Sequence, residues 1–193
     1  IEKALGSLPL IAEDLGSVDE GTVALREDLG LPGMRVLQFG FDGNPDNIHH
    51  PRNHPVFSVA YSGTHDAPTM RGWWDDLSDD GRRCVDAGFD GAQAVRTLVD
   101  RTLQSQAVWA ILPLQDLLGL GNEARMNVPG TAEGNWVWRQ PGRELDAEIA
   151  RDLRTRIRRA GRLIPQAFRS DSAPTAAGGT RAGLRGDRIA YFC

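Results

Sequence analysis

Apolar and polar positions along this chain fall into blocks whose spacing switches between that of strands and that of helices. Residues 8–12 (LPLIA) are a short, nearly continuous apolar run closed by Glu13, Asp14, Leu15 and Gly16, the pattern of a strand buried on both faces. A helix is predicted over 18–29. Val18, Leu25 and Leu29 share helical spacing, 17–20 (SVDE) reads as a capping box, and Gly30 stands where a left-handed C-terminal glycine belongs. Pro32-Gly33 turns the chain into a second strand, 34–41 (MRVLQFGF), rich in β-branched and aromatic residues. A polar loop over 42–55 separates it from a third strand, 56–61 (VFSVAY).

A helix is predicted from about Pro68, carrying Trp73 and Trp74, because proline suits a first helical turn. Residues 93–106 are amphipathic, with Val95, Leu98, Val99 and Leu103 on one face. A fourth strand at 108–114 (VWAILPL), a glycine-rich loop at 119–135 and a charged helix at 146–161 follow. From about Gln166 the composition narrows to Ser, Ala, Gly, Thr, Arg and Asp, and 166–193 reads as a disordered tail behind a folded unit over 1–165. Strands alternating with helices indicate an α/β fold with parallel strands. Glu13, Asp42 and Asp66 stand at or just beyond strand ends. Polar residues gathered there are how the active face of a (β/α)8 barrel looks in one dimension. Four strands amount to half of such a barrel.

Composition narrows the function classes. The 193 residues are 40% hydrophobic and 25% charged, and a net charge of -4 offers no basic surface for nucleic acid or anionic lipid. No apolar stretch approaches the ~20 residues of a membrane span, and the first residues do not read as a secretory leader. Cys84 and Cys193 lie far apart and suggest no disulfide framework. A cytoplasmic, reducing compartment is therefore expected. The chain starts with Ile rather than Met and is short beside the ~250 residues of a whole barrel, so a truncated product is expected.

Glu13 and Asp66 are the leading candidate pair, since glycoside chemistry needs two carboxylates across one sugar. On spacing alone, the competing reading is that acids at strand ends only cap the following helices. His65 could hydrogen-bond a hydroxyl or act as a base. His50 and His54 have i, i+4 spacing, but Pro51 and Pro55 forbid a regular helix there; no metal and no cofactor are expected. The 119–124 stretch (GLGNEA) matches a dinucleotide-binding pattern only superficially, because Pro129-Gly130 breaks the segment where a long helix would have to run. Trp73, Trp74, Trp136 and Trp138 could stack on sugar faces or fill a core. Arg125, Asn127 and Asn135 could bind hydroxyls or form turns.

Taken together, five stretches resemble the amylomaltases, or disproportionating enzymes, of glycoside hydrolase family 77. They are 8–16 (LPLIAEDLG), 29–43 (LGLPGMRVLQFGFDG), 63–66 with 71–74 (GTHD, RGWW), 112–131 (LPLQDLLGLGNEARMNVPGT) and 134–139 (GNWVWR). The resemblance implies strands 5 to 8 of a (β/α)8 barrel and a retaining 4-α-glucanotransferase. Such an enzyme transfers an α-1,4-glucan segment to the 4-hydroxyl of another glucan. It implies Glu13 as general acid/base, Asp66 as transition-state stabiliser and His65 as its partner on the reacting sugar, with Asp42, Asn127 and Arg125 in segments lining the substrate groove. The implied partners are maltodextrins, maltotriose and amylose, with the remaining half of the barrel as a protein partner. The family's nucleophile, an Asp on an earlier strand, has no match in 1–193, so this chain alone is expected to be inactive. A non-catalytic glucan-binding remnant and a degraded reading frame are the alternatives.

Overall fold

The computed structural model describes residue 3, residues 10–85, 91–140 and 147–163, and the backbone of 189–192. Asp19 starts the first helix, α1 (Glu20–Asp28), by accepting a hydrogen bond from Thr22 N at 2.7 Å. The cap is thus Asp19 rather than the expected Ser17, since an aspartate caps as well as a serine and adds negative charge at the positive end of the helix. Gly30 (φ 61°) closes α1 in the left-handed conformation. Leu25 and Leu29, the expected buried stripe, are exposed.

Among the described residues four parallel strands follow: β1 (Gly33–Val36), β2 (Ser58–Tyr61), β3 (Trp109–Leu112) and β4 (Ile189–Phe192). They stand side by side in chain order. The first expected strand, 8–12, survives as one parallel bridge between Ala12 and Gly33, and residues 8 and 9 lie outside the described residues. The second is cut short: after Val36 the backbone tightens into a 3-10 turn, Leu37–Gly40, which brings Gly40 against the backbone of His49 too closely for any Cβ. Most of the stretch read as a disordered tail is outside the described residues. At Ile189–Phe192, however, the backbone forms a strand in register with β3, Trp109 opposite Ile189 through Leu112 opposite Phe192.

Helices α2 (Met70–Asp76), α3 (Asp79–Cys84) and α4 (Gly91–Gln104) connect β2 to β3. Thr69 and Ser78 cap the first two by accepting from Gly72 N and Gly81 N. The four apolar positions expected on one face of α4, Val95, Leu98, Val99 and Leu103, are buried with Leu37, Met70, Trp74, Ala110 and Leu112 in one core. Trp74 belongs to that core, while Trp73 is partly buried at its margin and packs on Phe41.

After β3 come the short α5 (Leu114–Leu118), stopped by left-handed Gly119, and α6 (Ala147–Arg159). Arg156 docks α6 on α4, donating to Asp100 Oδ1 at 2.6 Å and to Arg96 O at 2.9 Å. Just beyond, the buried Arg162 donates to the carbonyls of Leu103, Ser105 and Ala107 where α4 ends. A guanidinium at that point satisfies carbonyls that a helix leaves orphaned.

Candidate functional site

The loops that leave the C-terminal ends of β1, β2 and β3, with the segment after the Ala12 bridge, face one cleft of about 1370 Å³. Glu13 follows the Ala12 bridge, Gln38 and Phe39 follow β1, the loop 62–69 follows β2, and Pro113 to Asp116 follow β3. Strand C-termini are where parallel α/β sheets gather polar groups, because the crossovers leave that end open. Glu13, His65, Asp66, Trp73, Trp136 and Trp138 all line this space. The fold therefore gathers the two leading carboxylates on one cavity, as the strand-end pattern predicts.

Glu13 is exposed to the cleft, and its backbone is held by its neighbour. Asp14 accepts from Arg26 (3.0 Å), Arg35 (3.2 Å) and Met34 N (2.6 Å). All three charged groups are nearly buried, so each depends on the others for compensation. Gly33 is what lets them meet: a Cβ there would overlap the Arg26 guanidinium and the Asp14 carboxylate. Adjacent acids in the sequence thus divide the work, one anchoring the segment and one facing the cavity.

Asp66 is held from three sides. Asn127 Nδ2 donates to its Oδ1 at 2.5 Å, His65 Nε2 lies 3.3 Å from the same oxygen, and Arg125 donates to its main-chain carbonyl at 2.7 Å. Arg125 also donates to Asn127 O (2.8 Å), and Asn127 N to His65 O (3.1 Å). Arg125 and Asn127 therefore join the loop after β2 to the loop after β3. Arg125 lines the cleft but has its guanidinium engaged with backbone carbonyls, so it holds the site rather than presenting a free cation. Asn127 and Asp42 are not among the lining residues. Asp42 is exposed in a turn, its carboxyl lowered first by the hydrogen bond from Asn44 N (2.9 Å) and then by the Asn47 side chain.

Two residues that sequence reasoning passed over brace the same loop. Asp116 is buried and accepts from Ser62 Oγ at 2.5 Å and from Met70 N at 2.7 Å. It thereby fixes both ends of the segment carrying His65 and Asp66. Burial pushes its pKa up, and the hydrogen bonds from Met70 and Ser62 oppose that rise. Gln38 Nε2 donates to Pro68 O at 2.9 Å and holds the segment two residues before Met70. A lone acid inside the apolar run 110–118 (AILPLQDLL) was the available signal, since such an acid must be buried with partners.

The three histidines of the 42–55 loop serve packing. His49 Nδ1 accepts from Val36 N at 3.1 Å, and His50 takes Arg52 N and Nε. His54 is fully buried between Ser105 Oγ (2.8 Å) and His49 O (2.9 Å). Burial first, then the nearby Arg35 cation, drives its pKa down to about 4, against the hydrogen bond to His49. Among the described residues no group of three or more His, Cys, Asp or Glu could hold a metal ion. The 119–124 stretch forms a left-handed turn and a 3-10 turn (Asn122–Ala124), with no strand-to-helix step for a dinucleotide.

A family profile described as 4-alpha-glucanotransferase, glycoside hydrolase family 77, matches residues 1–145. The chloroplastic/amyloplastic 4-alpha-glucanotransferase of Arabidopsis thaliana is 44% identical over 164 residues, which is 79% of this chain and 28% of that protein. The 4-alpha-glucanotransferase of Thermus thermophilus is 39% identical over 173 residues, 84% of this chain and 35% of its own length. Among solved structures, the amylomaltase of Streptococcus agalactiae in complex with acarbose superposes with a TM-score of 0.76 at 30% identity. That match covers 83% of this chain and 33% of the solved one. The chain spans about a third of the length of these relatives and is a fragment of the same fold.

Proposed function

From its membership of the 4-alpha-glucanotransferase family, to which the chain belongs, we propose that its 8–12 segment with β1, β2 and β3 supplies strands 5 to 8 of a (β/α)8 barrel and one wall of an α-1,4-glucan site. The observation that carries this reading is that Glu13 and Asp66, contributed by separate strand ends, line one aromatic-walled cleft. In the proposed reaction the Glu13 carboxyl protonates the glycosidic oxygen as that bond breaks. It later takes the proton from the 4-hydroxyl of the acceptor glucan. Asp66, oriented by Asn127 and His65, places its negative charge beside the oxocarbenium-like centre. Net retention requires a second carboxylate on the opposite face of the sugar, about 5–5.5 Å from the acid.

The described cleft does not offer that group. Its lining acids are Glu13, Asp66 and Asp116, and both oxygens of Asp116 are committed to Ser62 and Met70. This favours a second reading for the chain by itself, glucan binding without turnover, with the nucleophile contributed by another strand. Incubation with maltotriose separates the two readings. Glucose and longer maltodextrins should form only when the chain is joined or mixed with the remaining barrel strands. Glu13→Gln or Asp66→Asn in that assembly should then abolish product. Product from the isolated chain, or wild-type rates in either variant, would overturn the assignment.

A further inference from the structure

Trp136 is the one non-glycine among the described residues with a positive φ, 62°. A tryptophan pays a steric penalty in that region, and the conformation persists only where neighbouring contacts impose it. Those contacts are present. Trp136 N donates to Met126 O at 2.7 Å, and Arg139 donates to Trp136 O at 2.8 Å. The preceding residue, Asn135, accepts from Val128 N (2.9 Å) and donates to Thr131 O (3.0 Å). Gly130 and Gly134, both left-handed, complete the turn.

What this backbone holds in place is not a core residue. The indole leans on His65, with ring centroids 5.2 Å apart at 38°, yet 51% of Trp136 is exposed and it lines the cleft. Packing does not account for a large aromatic that is half open to solvent, held by an unfavourable backbone, and aimed over the residue beside Asp66. A flat apolar face next to hydroxyl-binding groups is the chemistry that receives the C–H face of a pyranose. Trp138 and Trp73 line the same space.

We propose that Trp136 is a stacking platform for a glucose unit of the bound glucan, its strained backbone fixing the indole beside the His65–Asp66 pair. This rests on the glucan-site reading above, and the test keeps the two apart. Maltotriose affinity would be measured by calorimetry on the full chain and on three variants, each with a thermal melt. Trp136→Phe keeps an aromatic face and should bind within about threefold of wild type, whereas Trp136→Leu should bind about tenfold more weakly or worse. Trp136→Gly removes the ring and relieves the backbone. It should lose affinity like the leucine variant while melting no lower than wild type. Leucine and glycine variants that bind as wild type does would overturn the platform alone. So would melts that collapse in all three variants, which would mark Trp136 as a packing residue. A wild-type chain with no affinity for maltotriose would overturn the glucan site itself.

Discussion

Asn127 Nδ2 reaches Asp66 Oδ1 at 2.5 Å, so the carboxylate at the end of one strand is oriented by an amide from the loop after the next. A charge-assisted hydrogen bond of this length holds that oxygen in place, and His65 Nε2 approaches the same atom. Asn127→Ala should weaken maltotriose binding about tenfold, the worth of one hydrogen bond to a charged group. Asn127→Asp should do more harm, because two carboxylates at contact distance resist joint ionisation, and affinity should partly return as pH falls. Calorimetric titrations at pH 5 and pH 7.5 would check both; equal affinity for Asn127→Asp at the two values would count against the contact.

Asp116 ties Ser62 to Met70, and its loss should loosen the segment between them. Asp116→Ala leaves a buried hydroxyl and a buried amide without an acceptor and should cost about 3 kcal/mol in urea unfolding. Asp116→Asn keeps one acceptor and removes a buried charge, so it should lose less. An alanine variant as stable as wild type would show that water replaces the carboxylate without penalty.

His54 predicts a pH dependence of stability. Its pKa is about 4 in the folded chain and near 6.5 when unfolded. Between those values the unfolded imidazole holds a proton that the folded one does not, so lowering the pH through this window favours unfolding. The full span is worth roughly 3 kcal/mol at this site. Arg35, His49 and His50 add their charges to the same effect. His54→Gln should be less stable at pH 7.5 and should show a flatter decline towards pH 4 than wild type. Parallel slopes in denaturant midpoints would rule His54 out as the source.

Gly33→Ala adds a single methyl group where Arg26 and Asp14 already touch. Overpacking a closed ionic cluster should cost about 1–3 kcal/mol. The displacement should also be felt at Glu13, one residue from Asp14. Chemical denaturation gives the first quantity, and maltotriose affinity the second.

Much of this was legible in the sequence, for identifiable reasons. Val95, Leu98, Val99 and Leu103 announced the packed face of α4 because periodicity reports burial directly. Glu13 and Asp66 were legible as strand-end acids, although only the resemblance separated them from helix caps, and the fold then brought them to one cleft. Asp14 was not legible, since its partners Arg26 and Arg35 lie one helix and one strand away and no local pattern encodes their meeting. Arg125 read as a hydroxyl binder because a guanidinium in a loop looks free until the carbonyls it serves are located. The strand at Ile189–Phe192 was hidden by the low-complexity stretch before it, which dominates any window of composition.

Because β1, β2 and β3 lie side by side in the order of their synthesis, β2 and β3 each emerge when the neighbour they pair with is already made. The β1–β2 pair closes across the loop of 42–57, and β3 joins after α4 is available to cover the sheet. Growth is vectorial, one crossover at a time, and no strand has to be threaded between two earlier ones. An interrupted nascent chain would therefore carry a partial sheet that is correct as far as it goes, its last strand the edge on which the next one pairs.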